Sequence, residues 1–384
     1  MMKPVAIVGV GQTKFGENWH QSLKQMAFES SMAALSDAKL DKGGIEALFV
    51  GNMASGRFTG QKHLGALVAE SLGIGVPAAN CEAACASGAL AFKQGCLSIQ
   101  SGKYDVVLVT GVEKMSDVKV EEASLSLMAA GEQEWEGAAG LTFAGVYALM
   151  ARAHMYKFGT TQEQLAMVAV NNHKNGVKNP YAQFNFQITL EAALNAPVVA
   201  DPLRLYDCSP ITDGSAALIL ASEEAAKRFE TAIWVKAVEQ ASDTLALHNR
   251  ASIVELAAAE IAAKKAYNSS GISTEDVDVS EVHDCFTINE ILCIEALGFS
   301  EKGRGGKFVE QNKIAVDGEK PINITGGLKA IGHPVGATGV RQLVDLTKIL
   351  RGDMKEFQGA ELGLALNVGG SGATAIVSIL GIEK

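Results

Sequence analysis

One short order of segments is written twice along this chain, and that repetition limits the fold more than any other feature. "SDAKLDKGGIEALFVGNM" reads as a helix end, a polar linker and an apolar strand, and "SSGISTEDVDVSEVHDCF" repeats the order in the second half. Two glycine-led helical stretches follow the same rule. "SGALAFKQGCLSIQSG" and "TGVRQLVDLTKILRG" run from Gly88 to Gly102 and from Gly339 to Gly352, separations of 14 and 13 residues. Such similarity in order points to a duplicated βαβ-type domain.

Short apolar runs supply the strands. "VAIVGVG" (Val5–Gly11) and "DVVLVTGVEKM" each end in a glycine turn, as strands do when both sheet faces are covered. Strand and helix alternate, which predicts parallel sheets with helical crossovers. Residues 116–205 break the pattern. This stretch is rich in Met, Ala, Gln and Asn and reads as helical pieces such as "GLTFAGVYALMARAHMYKFG", an insertion expected to lie over a site on the main body. "SPITDGSAALILASEEAAKRF" then restores a strand and a helix. The expected division is residues 1–115 plus 206–228, an inserted region 116–205, and a second copy 229–384.

Composition excludes several classes. At 384 residues with 48% hydrophobic residues, burial is not limiting, and 40 glycines against 8 prolines favour tight turns in a compact α/β protein. A net charge of −10 argues against nucleic acid, which needs clustered Lys and Arg. No apolar run reaches the roughly 18–20 residues of a membrane helix, and the start runs into a strand without a signal-peptide pattern. A cytoplasmic protein is expected. Six cysteines without a CxxC pair suit reduced thiols, and "GVGQTKFG" lacks the third glycine of a dinucleotide fingerprint.

Four segments carry candidate chemistry. In "NCEAACASGAL" (Asn80–Leu90), Cys85 sits among small residues just before a helix, where a helix N-terminus lowers a thiol pKa. The same segment suits a small cysteine at a crowded helix–sheet contact. "GGLKAIGHPVGATG" (Gly326–Gly339) holds His333 on a rigid glycine–proline turn, placed to act as a base or donor. "LALNVGGSGATAIV" offers Gly369, Gly370 and Gly372 either as oxyanion donors or as a tight hairpin. "EVHDCFTINE" places His283 two residues before Cys285. A metal site there needs further ligands, whereas His283, Cys285, Cys85 and His333 together supply the groups for covalent acyl transfer.

The four motifs, in this order, resemble the thiolase family, and within it the branch of sterol-carrier-protein-type and archaeal acetoacetyl-CoA thiolases. The resemblance covers essentially the whole chain. It implies two similar α/β domains forming a five-layered αβαβα body with an inserted loop domain, and an acyltransferase that makes or cleaves acetoacetyl-CoA. By resemblance Cys85 is the nucleophile and His333 its proton acceptor, while Cys285 is the acid/base and His283 an oxyanion donor. The backbone N–H groups of Cys85 and Gly369 form a second hole, and Ser209 touches the pantetheine arm. One departure is informative. Many thiolases carry Asn–Glu–Ala–Phe where this chain has "HDCF", and their second cysteine in the final glycine turn, where this chain has Asn367. Coenzyme A thioesters are implied as substrates, with no bound cofactor or metal. The implied partners are a second copy in a homodimer or tetramer, a small OB-fold/zinc-ribbon protein, and 3-hydroxy-3-methylglutaryl-CoA synthase. Alternatives within the resemblance are a degradative thiolase for a longer or aromatic 3-oxoacyl-CoA of the benzoylsuccinyl type, and a noncatalytic acyl-CoA-binding or aldolase-like subunit.

Overall fold

The computed structural model describes residues 3–355 and 357–384. The first half contributes strands β1 (Val5–Gln12), β2 (Ala47–Gly51), β3 (Ala78–Cys81) and β4 (Val106–Glu113). A short hairpin, β5 (Val198–Ala200) with β6 (Leu203–Arg204), precedes β7 (Gly214–Ser222), which completes that half. The second half supplies β8 (Ile233–Ser242), β9 (Val279–Glu281), β10 (Leu362–Gly369) and β11 (Thr374–Gly381).

Nine strands hydrogen-bond in the order β3-β2-β4-β7-β1-β8-β11-β10-β9. That order mirrors itself about its middle. Moving outward from β1 or from β8, each half places its first strand, then its last, then the strand before the last, then an earlier one. The repeat read from sequence is therefore a repeat of topology. A ladder of two residue pairs, Ala6 with Trp234 and Ile7 with Ile233, joins the halves.

The sheets are mixed rather than parallel, a correction to the expectation. β2 runs parallel to β3 and β4, and β10 to β9, but β7 is antiparallel to both β4 and β1, and β11 to both β10 and β8. The apolar runs misled because helices cover both faces here too. All nine residues of β7 are buried. Two-sided burial, not strand direction, writes a continuous hydrophobic run.

Three cores separate five layers. Helix Leu23–Asp37 packs outside the first sheet through Met26, Ala34 and Leu35 against Leu48, Leu108 and Ile219. Helices Ser87–Gln100 and Thr338–Leu350 fill the middle, where Phe92, Cys96, Val344 and Leu346 share one core with Leu218 and Leu380. Helix Ala257–Ser270 covers the far side, with Ala258 and Ala262 against Leu366 and Val377. The duplicated glycines lie where the two middle helices touch. A Cβ on Gly88 would stand 2.8 Å from the Gly336 carbonyl, and one on Gly339 would stand 2.4 Å from the Ala89 nitrogen. Both helix N-termini consequently converge on one place, from opposite halves.

The inserted region is helical, with helices Val120–Met128, Phe143–Phe158 and Gln162–Gly176. Capping sets the ends of its helices. Thr142 accepts from the Gly145 N–H, Thr161 and Gln164 form a reciprocal capping box, and Gly159 ends its helix in the left-handed region. Tyr147, Met150, Leu165 and Val168 pack into the core of the second half. Among the described residues no helix is long and apolar enough to cross a membrane.

Candidate active site

The turn between β3 and helix Ser87–Gln100 presents Cys85. Ala84, the residue before it, has φ 53°, a left-handed conformation uncommon for a residue with a Cβ. Ser87 holds this turn: its Oγ accepts from Ala83 N at 3.0 Å and donates to the Ala84 carbonyl at 2.6 Å. Burial pushes the Cys85 thiol up to about 12, while the N–H groups of Gly370 and of Cys85 itself pull it down. This reverses the sequence expectation, because desolvation outweighs the helix N-terminus.

The other motifs arrive from the second half. β9 ends at Glu281, helix Thr287–Ala296 begins after Phe286, and the turn between them carries His283 and Cys285. Asp284 ties that turn to the His333 segment. Its carboxylate accepts from Leu328 N at 2.7 Å and Lys329 N at 3.0 Å, capping the short helix Gly327–Ile331, and from Asn172 at 2.8 Å. On the other side, Glu113 at the end of β4 accepts from Gly336 N, Met53 N and Ala54 N, clamping the His333 turn to the first half.

The two histidine rings meet edge to face with centroids 5.0 Å apart. Neither Nε2 has a hydrogen-bond partner, although both atoms are buried. Their Nδ1 contacts differ in kind. Asn367 Nδ2 lies 3.1 Å from His283 Nδ1, and Asn367 Oδ1 is buried without a hydrogen-bond partner beside Gly339, in the first turn of helix Thr338–Leu350, whose positive end suits an oxygen better than an N–H. The amide therefore donates to Nδ1, and the His283 proton sits on Nε2. Thr338 Oγ1 donates to the Pro334 carbonyl at 3.2 Å and stands 2.7 Å from His333 Nδ1. With its hydrogen so used, Thr338 accepts from Nδ1–H, which leaves His333 Nε2 as a bare lone pair. One ring offers a donor and the other a base to the same space.

Both rings are neutral. Burial holds His333 down at about 3, helped by the Arg341 charge, and burial, then His333, then Arg341 hold His283 well below its usual value. Arg341 is itself fully buried, 2.7 Å from Glu281 and 3.0 Å from Asp345. Burial and the neighbouring Cys85 raise the Cys285 thiol, and the nearby Tyr147 hydroxyl pulls it down.

Cys85, Cys285 and His333, but not His283, line one small cavity. Cys85, Cys285, His333 and Ser209 share its wall with Met115, Leu127, Phe143, Tyr147, Ile211, Phe286, Val335 and Gly370, around ≈ 90 Å³ of space. Ser209 is fixed by its backbone N–H, which donates to the Cys285 carbonyl at 2.9 Å. Gly369 packs against the Ala83 carbonyl, and the N–H reaching the Cys85 sulfur is that of Gly370, one residue on. Cys85 Sγ and a nitrogen of each histidine lie within 4.8 Å of one another, so three soft ligands for a divalent ion also meet here. Sequence reading did not single out Tyr147, Glu113 or Thr338. Tyr147 lies in the "GLTFAGVYALM" piece, whose helical periodicity gives no sign that one turn faces a site.

A duplicated αβαβα fold that brings two cysteines and two neutral histidines together at one small pocket is that of an acyltransferase. Residues 5–224 match the family described as Thiolase, N-terminal domain, and residues 239–382 match Thiolase C-terminal domain-like, so the chain belongs to the thiolase family. It is 47% identical over 382 residues to the acetyl-CoA acetyltransferase of Methanothermobacter thermautotrophicus, spanning 98% of this chain and 99% of that protein. To the acetyl-CoA acetyltransferase of Methanocaldococcus jannaschii it is 48% identical over 395 residues, spanning 100% of both. The benzoylsuccinyl-CoA thiolase subunit BbsB of Thauera aromatica is 32% identical over 360 residues, 93% of this chain and 91% of that protein. Among solved structures, the Ltp2-ChsH2(DUF35) aldolase has the same fold, with TM-score 0.87 at 24% identity over 100% of this chain and 99% of that one.

Proposed function

We propose that this thiolase makes and cleaves acetoacetyl-CoA through an acyl-enzyme on Cys85. The carrying observation is the meeting of groups from two halves: Cys85, Cys285 and His333 line one small cavity, and a nitrogen of His283 lies within 4.8 Å of Cys85 Sγ and of His333. In the synthetic direction His333 Nε2 takes the Cys85 proton as the sulfur attacks the acetyl-CoA carbonyl. The N–H groups of Cys85 and of the Gly369–Gly370 turn hold the oxyanion, and Cys285 gives its proton to the departing CoA thiolate. Cys285, now a thiolate, removes the α-proton of a second acetyl-CoA whose thioester oxygen accepts from His283 Nε2–H and from protonated His333. The resulting carbanion attacks the Cys85 thioester, Cys85 leaves as a thiolate, and His333 returns its proton. The cycle balances without an external acid or base, and the intermediate Cys285 thiolate and His333 imidazolium offset each other's charge in a dry site.

A short acyl group fits the cavity. Its ≈ 90 Å³ of space supports a small acyl group such as an acetoacetyl thioester head. The names of the two archaeal relatives support the same substrate. We assign no bound cofactor or metal to the cycle, so chelators leave it unchanged, while excess zinc inhibits by occupying Cys85, His283 and His333. The edge strand β3, with Ala79 and Asn80 exposed, supports a homo-oligomer formed by strand pairing. The six free thiols support a reducing, cytoplasmic location. An OB-fold/zinc-ribbon partner and 3-hydroxy-3-methylglutaryl-CoA synthase remain proposals of the same reading, checked by co-purification.

The test is thiolysis of acetoacetyl-CoA beside a bulky aromatic 3-oxoacyl-CoA. A strong preference for acetoacetyl-CoA in kcat/KM supports the reading. Preference for the aromatic substrate overturns the substrate, and cleavage of neither, with or without a co-purified partner, overturns the activity.

A further inference from the structure

Tyr147 enters the cavity from the inserted region and is 1% exposed. Its ring stacks on Phe286, with centroids 4.6 Å apart and planes 26° apart. Phe286 directly follows Cys285, so the stack sets the phenol beside the proposed acid/base. The hydroxyl donates to the Gly370 carbonyl at 2.9 Å and shares the cavity wall with the Cys285 side chain, whose thiol pKa it pulls down. One hydroxyl hydrogen thus faces two acceptors. Which one receives it depends on the charge of Cys285.

We propose that Tyr147 is a catalytic residue that stabilises the Cys285 thiolate by switching its hydroxyl hydrogen from the Gly370 carbonyl to the Cys285 sulfur. This rests on the assignment of Cys285 as acid/base. While Cys285 is a thiol, its S–H donates to the phenol oxygen and the phenol donates to Gly370. When Cys285 loses its proton, that donor is gone and the sulfur becomes an anion. The phenol hydrogen then turns to the sulfur, because a bond to an ionised acceptor is roughly twice as strong as one to a neutral carbonyl. No bond to Tyr147 is made or broken in the cycle, and the phenol keeps its proton: burial raises its pKa well above 10.

Turning the hydrogen away also frees a carbonyl of the glycine turn. Gly370 N–H is the group that reaches Cys85 Sγ. Tyr147 accordingly touches both sulfur sites, one directly and one through the backbone of the turn. Among the described residues the pocket wall holds no other phenol and no charged side chain.

The test is Tyr147→Phe, which keeps the ring stacked on Phe286 and removes the hydroxyl. Two half-reactions are read separately: acylation of Cys85 by acetyl-CoA, followed by mass spectrometry, and α-proton exchange of acetyl-CoA in D₂O, followed by NMR. Exchange is expected to slow about ten-fold more than acylation, with its pH limb moved up by about one unit. Replacement by 3-fluorotyrosine, a more acidic phenol, should move that limb down. An unchanged limb in both proteins, or equal loss in both half-reactions, overturns the proposal. Cys285→Ala separates the two levels of the argument. If exchange survives it, the acid/base assignment falls and this proposal falls with it; if exchange collapses there but is untouched in Tyr147→Phe, only the role of Tyr147 is refuted.

Discussion

Replacing Asn367 by alanine tests whether the tautomer of His283 is set from outside the pocket. Asn367 Nδ2 is 3.1 Å from His283 Nδ1, and the ring is fully buried, so no bulk water replaces the lost donor. A buried acceptor left unpaired costs about 1–3 kcal/mol. The ring escapes part of that cost by moving its proton to Nδ1, which removes the donor from Nε2 in a fraction of molecules. A loss of about 1–2 kcal/mol of transition-state stabilisation corresponds to a roughly 5- to 30-fold fall in kcat. His283→Ala removes the donor altogether and should lose about 10²–10³-fold, the usual effect of deleting one oxyanion donor. The decisive comparison is the double variant, assayed by thiolysis of acetoacetyl-CoA. If Asn367 acts through His283, His283→Ala/Asn367→Ala is no slower than His283→Ala alone, within about two-fold. Multiplying losses, or a wild-type kcat for Asn367→Ala, refutes the reasoning.

Four further outcomes follow from the same geometry. Iodoacetamide should alkylate Cys85 about ten-fold faster for each pH unit between pH 7 and 10, because the thiol is raised to about 12 and stays protonated below that value. A plateau near pH 8, read on the Cys85 peptide by mass spectrometry, would instead indicate a resting thiolate–imidazolium pair. Cys85→Ala should abolish the acetyl adduct, whereas Cys285→Ala should keep it and lose α-proton exchange; an adduct on another residue contradicts the nucleophile assignment. Arg341→Met leaves the Glu281 and Asp345 carboxylates buried beside each other and should cost about 3–5 kcal/mol in urea unfolding. Gly339→Ala drives a methyl to 2.2 Å from Asn367 Oδ1 and 2.4 Å from Ala89 N, and should lose about 1–3 kcal/mol together with activity, since the clash lies at the residue that orients His283.

The duplication was legible because it is written in spacing: glycine-led helices of near-equal length recur in order, and Gly88 and Gly339 prove to be the contact that needs them. The four motifs were legible for a related reason. A turn that must expose a side chain and also pack against another backbone uses glycine, proline and small residues, and those leave a visible trace around Cys85 and His333. Strand direction was not legible, because β7 and β11 are antiparallel yet as apolar as β2, and burial alone decides that pattern. The pKa of Cys85 was misread from local sequence. The helix N-terminus is a neighbour in the chain, but the burial that overrides it comes from residues distant in sequence, Ala54, Phe58 and Met115 as well as Ala123 and Val335.

The same distinction explains why the roles of Asn367 and Tyr147 stayed hidden. Asn367 lies 84 residues from His283, on a strand whose composition differs little from its neighbours, and Tyr147 lies 223 residues from Gly370. Neither position carries a local rule that demands its side chain. Both act through one hydrogen bond across the fold. A nucleophile and its turn form a short-range constraint, whereas the tautomer of a histidine and the charge of an acid/base cysteine are long-range ones. "HDCF" illustrates the consequence. A histidine in that turn acts as a donor only if something opposite supplies a hydrogen to its Nδ1, and Asn367 does so from the strand that leads into the glycine turn. The residues at 283, 285 and 367 therefore work as one unit. Transplanting the "HDCF" turn alone, without an amide at 367, would install the second cysteine but leave the histidine free to take the wrong tautomer.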